Sequence, residues 1–281
     1  MRKLPGIEVV KRAYGFLASD FGTIVRIAWL PLLIVSIVQF FVNRAALEAL
    51  TEAVSAGDLT LSGGDQSEWP SLISTLLAIV GGAIVTVALH RVVLFGDRKP
   101  GTYVYFNFGK VEGLFVILPL VVGMVIMLAF SAIFASTFNP GEAPNLALIF
   151  LFLLAAAVLF FLSVRLALLW PIIVVEERFD FQQAWNLSRG NFWRLFGTFI
   201  LALLPFVVVM LIAGFIEQGA FFTVRTVEDF LAALRRTEDL LPYSTAVNYV
   251  ITVLLSAVSV AVLGYAYKAL KGYGPDDIVQ A

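Results

Sequence analysis

Residues 113–136 read GLFVILPLVVGMVIMLAFSAIFAS, twenty-four positions without a charged side chain. At 1.5 Å per residue, a helix of that length covers about 36 Å, more than the roughly 30 Å of a bilayer's hydrocarbon core. Its apolar residues run continuously and do not alternate with polar ones, so a barrel strand is excluded. An unpaired backbone amide or carbonyl costs several kcal/mol in lipid, which leaves the α-helix as the spanning form. Working outward, five further stretches share this character: Phe21 to Val42, Ser71 to Leu94, Asn145 to Val175, Phe192 to Ile216 and Tyr243 to Leu270.

Composition agrees. The 281 residues are 60% hydrophobic and 14% charged, against about 45–50% and 25% for soluble domains. There is too little charged surface to face water. A net charge of −1 gives no basic field for nucleic acid. The chain has no cysteine and one histidine, His90, which excludes thiol chemistry and a histidine-rich metal site. The first twenty residues are charged and periodic, without a short apolar core and cleavage pattern, so the first apolar run is expected to be retained.

Lys and Arg set the orientation. Thirteen lie on the side of the N-terminus, Lys99 and Lys110 among them, and four (Arg44, Arg225, Arg235, Arg236) on the other. Arg26 and Arg165 fall inside spans. The asymmetry predicts both termini in the cytoplasm, as an even number of crossings requires. The expected fold is therefore all-α: one domain, residues 1–281, a polytopic membrane bundle of six transmembrane helices with interfacial amphipathic helices.

Three such amphipathic pieces are predicted. Ile7 to Ser19 places Ile7, Val10, Tyr14 and Leu17 on one stripe. Asp180 and Gln183 open a helix toward Gly190, with Phe181, Ala184, Trp185, Ser188 and Phe192 on one face. Outside, Thr226 and Asp229 form a capping-box pattern ahead of Val227, Phe230, Leu231 and Leu234. GGDQS from Gly63 reads as a polar external loop, and His90 and Glu112 as interfacial groups. Small-residue stripes (Ser74, Ala78, Gly81, Gly82; Ser256, Ala257, Ala261, Gly264) read as close-packing faces.

An internal pattern recurs: WLPLLIV, ILPLVVG and LLPFVVV place Pro31, Pro119 and Pro205 in the odd-numbered spans, 88 and 86 residues apart. Three tandem two-helix units are expected. Each proline removes a helical hydrogen bond and kinks its helix, as Pro171 does in the fourth span. Either neighbouring groups compensate, or the interruptions mark a midplane site.

The most informative stretch is residues 165–194, RLALLWPIIVVEERFDFQQAWNLSRGNFWR. Arg165, Pro171, Glu176, Ala184, Leu187, Ser188 and the SRGNFWR phrase resemble the membrane domain attached to some bacterial glycerophosphodiester phosphodiesterases, and related six-helix inner-membrane families. In such families the motif joins the fourth and fifth spans across the cytoplasmic interface. Their phosphodiesterase activity resides in a separate soluble barrel that this chain lacks. The resemblance therefore implies a lipid-adjacent setting in a bacterial inner membrane, with no catalysis by these residues.

From the residues themselves, Arg165 lies inside the fourth span, where an unpaired arginine costs from about 3 to over 10 kcal/mol. Two readings are open. Arg165 pairs with Glu176, Asn186 or Asn191 as an internal clamp, or it binds a phosphate headgroup. Arg26, Arg165 and Arg194 form a basic pocket if they converge. No phosphate loop, metal-binding carboxylate run or nucleophile elbow is present, and no cofactor is expected. The leading expectation is a non-catalytic membrane module that interacts with membrane lipids or acts as a scaffold, with a protein partner at the cytoplasmic interfacial helix. The alternatives are a transporter of a lipid or amphipathic small molecule, and an enzyme acting on glycerophospholipid headgroups.

Overall fold

The computed structural model describes residues 2–57, 64–98, 106–137, 146–274 and 276–279. Among them the elements are helical: α1 (Gly6–Ser19), α2 (Phe21–Ser55), α3 (Gly64–Phe95), α4 (Lys110–Thr137), α5 (Leu146–Leu166), α6 (Leu169–Glu176), α7 (Phe181–Ser188), α8 (Phe192–Gln218) and α9 (Val227–Lys271), with a 3-10 turn at Gly219–Thr223. Six of these, α2, α3, α4, α5, α8 and α9, are long and apolar enough to cross a membrane. The molecule is a helical membrane bundle. Asn145, Lys99 and Gly63, invoked above, lie outside the described residues.

Local chemistry sets several boundaries. Asp180 accepts the Gln183 amide at 2.8 Å and starts α7. Thr226 accepts the Asp229 amide at 3.1 Å while Asp229 accepts the Thr226 amide at 3.0 Å, the reciprocal capping box read from sequence. At the far end of α9, Gly272 adopts φ +92, and its amide and that of Tyr273 both return to the Lys268 carbonyl. A side chain at Gly272 would also run into the guanidinium of Arg2.

Four expectations need correction. The fourth apolar stretch is two helices, broken at Ala167 and Leu168. Pro171, which has no N–H for the Ala167 carbonyl, sits in the first turn of α6, where none is required. The external amphipathic helix and the sixth span are one 45-residue helix running through Pro242. Likewise α2 continues to Ser55, past the apolar run. Gly64 already begins α3, so GGDQS is not a loop throughout.

The N-terminal amphipathic helix forms, but its buried face is rotated from the expected stripe. Val9, Val10, Ala13 and Phe16 are buried, whereas Ile7 is 67% exposed. The reason is that α1 is packed against both α8 and α9, so two neighbours choose its inward face.

The spans contribute unequally to the core. The most apolar windows of α2, α3 and α9 are 33–44% buried, those of α4, α5 and α8 only 6%. The three inner helices meet through small residues. Ala257 and Ala261 are fully buried, Gly264 lies against Val93, and Gly81 lies against Val35 and the Pro31 carbonyl. The outer three present Leu, Val, Met and Phe on most sides, a surface that hydrocarbon solvates at no cost.

These contacts make Gly264→Ala and Gly82→Ala a matched pair. A Cβ at Gly264 would come within 2.6 Å of Val93 Cγ1, on a stiff β-branched side chain, whereas one at Gly82 meets nothing within 4 Å. Gly264→Ala is expected to destabilise by about 1–3 kcal/mol. Gly82→Ala is expected to be neutral or to stabilise by up to about 1 kcal/mol. Unfolding of the detergent-solubilised protein measures both; equal behaviour would remove the close-packing account.

Candidate functional site: the polar end of the bundle

Arg2 and Val279 lie at one end of the bundle. The C-terminal tail returns to α3 through the Val279 amide, which donates to the Leu94 carbonyl at 3.0 Å. Arg2 sits beside Gly272. The ends of α3, α5 and α9 and the starts of α4 and α8 gather here, and the sequence-predicted polar residues distribute among them as follows.

Asn191 and Arg194 hold the N-terminal segment. The Leu4 amide donates to Asn191 Oδ1 at 2.9 Å, Asn191 Nδ2 donates to the Arg2 carbonyl at 3.0 Å, and Arg194 Nη1 donates to the Leu4 carbonyl at 3.2 Å. Leu4 is 1% exposed and Asn191 3%. The segment thus resembles an added strand laid into an amide cradle at the α7–α8 junction. Asn191 does not pair with Arg165, because both ends of its amide are used here.

Arg165 closes the last turn of α5. Its Nη1 donates to Ser188 Oγ at 3.5 Å, its guanidinium lies 4.5 Å from the Trp185 ring centroid and 5.5 Å from that of Phe161, and its Nε is buried without a partner. It therefore meets α7, as a clamp requires, but through Ser188 and Trp185. Glu176 is engaged elsewhere: Arg178 donates to it at 3.1 Å, and Gln183 Nε2 bonds its other oxygen. Asn186 lines a shallow surface depression with Asp180, Gln183 and Lys271. Arg26 turns back on its own helix, donating to the Gly22 carbonyl at 3.1 Å. Arg26, Arg165 and Arg194 share no bonded partner among the described residues.

Two groups read as interfacial are buried. Glu112 is 0% exposed; it accepts the Gly109 amide at 2.9 Å and faces Arg91 Nη1 at 3.3 Å. His90, also fully buried, bonds the Thr86 carbonyl at 2.8 Å and packs edge-on against Phe115. The available signal was Glu112 three residues after Gly109, the spacing of a side chain returning to an N-cap amide. Among the described residues, no group of three His, Asp or Glu is arranged to hold a metal ion.

The repeated prolines lie inside their helices in different surroundings: Pro31 buried, Pro119 half-buried, Pro205 exposed. Two of the loosened turns receive tyrosine hydroxyls from neighbouring helices. Tyr249 donates to the Trp29 carbonyl at 3.0 Å, ahead of Pro31, and Tyr14 to the Ala202 carbonyl at 2.7 Å, ahead of Pro205. Neither is the carbonyl that proline leaves without its amide donor, which belongs to the residue four positions earlier, Ile27 and Leu201.

The chain matches no family model, no curated protein and no solved structure.

Asn191→Ala is expected to leave the Leu4 amide and Arg2 carbonyl unpaired in a buried setting, costing about 1–3 kcal/mol. Thermal unfolding should fall accordingly, and trypsin should cut after Lys3 faster than in wild type. An unaltered cleavage rate would show that the cradle does not hold the segment.

Outside the spans, Asp20 joins the α1–α2 junction to Arg98, whose Nε donates to its carboxylate at 2.6 Å. Burial raises the Asp20 pKa, but hydrogen bonds from Arg98 and Ser19 and the Arg98 charge outweigh it, so the carboxyl titrates below its ordinary range. A lowered folded pKa stabilises above the unfolded value, near 4, and that stability is lost as pH falls through the folded value. Arg98 is 60% exposed, which limits the pair to about 1 kcal/mol or less. The melting difference between wild type and Arg98→Ala should be constant from about pH 5 to 8 and shrink below about pH 4. A difference that grows on acidification would contradict the pairing.

Proposed function

We propose that this protein is a non-catalytic, lipid-interacting module of the bacterial inner membrane, with its polar end and both termini in the cytoplasm, and that Arg165 receives the anionic headgroup of a phospholipid. The observation that carries this reading is the incomplete coordination of Arg165. An arginine at a membrane helix costs at least about 3 kcal/mol. Its two aromatic contacts return about 0.5–2 kcal/mol each. The long Ser188 bond adds little, and among the described residues no carboxylate is paired with the guanidinium. A phosphate at the open edge of the fork supplies the missing acceptors in the geometry that arginine favours.

Three further features support the setting. The thirteen-to-four asymmetry of Lys and Arg places the polar end on the positive side. Trp185 and Trp193 are exposed beside Arg165 and on the first turn of α8, at the level where aromatic belts meet headgroups. The resemblance of residues 165–194 to a membrane domain of glycerophospholipid-related enzymes suggests the same environment.

Mass spectrometry of lipids retained through purification tests the proposal. Wild type should keep an anionic phospholipid that Arg165→Ala loses by at least tenfold, about 1.4 kcal/mol of binding, with Arg165→Lys intermediate because a point charge replaces a fork. A retained lipid profile identical in all three, each folded by circular dichroism, rules out the headgroup role and leaves Arg165 as a link between α5 and α7.

A further inference from the structure

A second cationic site lies apart from Arg165. Between α1 and the last turns of α9 is a cleft of about 180 Å³, lined by Pro5, Glu8, Arg12, Tyr265, Lys268 and Tyr273 among others. Lys268 is 5% exposed, yet among the described residues its ammonium makes no hydrogen bond or ion pair; its one described contact is the Tyr265 ring at 5.9 Å. Lysines of such low overall exposure are almost always paired, and here the ammonium faces the cleft. Lys271, one turn on, already supplies a cation at the helix end.

The other charges around the cleft are largely matched. Arg12 is bonded to Glu8 at 2.8 Å. Asp277 bonds the Gly274 amide, and with Asp276 it acts on Lys268 through space. Lys268 is the charge in the wall with nothing bonded to it, and two tyrosines stand beside it. The volume corresponds to roughly six water-sized groups at 30 Å³ each. That admits a phosphate and a short ester, and is too small for acyl chains.

We infer that the α1–α9 cleft is a binding site for a phosphate monoester or diester group, held by the Lys268 ammonium with Arg12 at its rim. The site shares no residue with the Arg165 region and does not depend on it. The phosphate belongs to a soluble ester or to a lipid headgroup whose chains lie outside the cleft.

Delipidated full-length protein in detergent is titrated with glycerol 1-phosphate by calorimetry, and with dioleoylphosphatidylglycerol or dioleoylphosphatidylcholine by native mass spectrometry. Saturable binding of one equivalent is expected, weakened at least about tenfold in Lys268→Met and within about threefold of wild type in Lys268→Arg. Glu8→Gln, which frees Arg12, should tighten it severalfold, and Arg165→Ala should leave it unchanged. Binding of glycerol 1-phosphate assigns a soluble ester. Binding of the anionic lipid alone assigns a headgroup. Absence of saturable binding to wild type, or equal affinity in folded Lys268→Met, overturns the inference. If Lys268→Met does not fold, the decision passes to Lys268→Arg and Glu8→Gln: no tightening in the latter overturns it equally.

Discussion

Inside hydrocarbon, every hydrogen-bonding group must find its partner within the protein, and this requirement divides the molecule into two unlike halves. Toward the termini, amides, carboxylates and guanidinium groups are collected and tied together. The Leu4 amide is held by Asn191, Glu112 lies against Arg91, and Glu176 is shared by Arg178 and Gln183. Toward the opposite end, α4, α5 and α8 carry almost nothing polar and need almost no neighbours. A water-soluble bundle could not leave three helices so poorly covered. In lipid the exposed Leu and Val side chains lose nothing, so packing is demanded only where backbones approach closely or polar atoms must be matched.

The inner group of α2, α3 and α9 meets the first of these demands. Glycine and alanine at their contacts bring the helices together, and Val35 and Val93 occupy the space a larger residue would need. Tyr14 and Tyr249 meet the second. Each crosses to another helix to reach a carbonyl in a turn that proline has loosened.

Much of the architecture was legible because the bilayer writes its thickness into the sequence. The apolar runs located all six crossings, and capping chemistry at Asp180 and Thr226 located helix starts. What the runs mark, however, is solvent and not secondary structure. At Ser55 and Val227 the helices continue into the polar sequence, because a backbone helix is indifferent to whether lipid or water surrounds it. The site was less legible. Arg165 stood out by its cost, but its contacts, Ser188 and Trp185, depend on how the chain returns after Pro171. Asn191 bonds a segment 187 positions away, and His90 and Glu112, read as interfacial, are buried by the helices packed around them. Lys268 looked like one more positive-side charge, since sequence reports its position along α9 and not the helix packed over it.

The seating of the N-terminal segment has a consequence for how the protein is made. Leu4 is synthesised well before the side chains that receive it, which lie some 190 positions later in the chain. Until the fifth crossing is in place, the segment has no destination, and α1 has neither of the helices that cover it. Assembly therefore closes backward, with α1 settling only after the later helices that cover it. A nascent chain halted before residue 191 would carry that element without its seat.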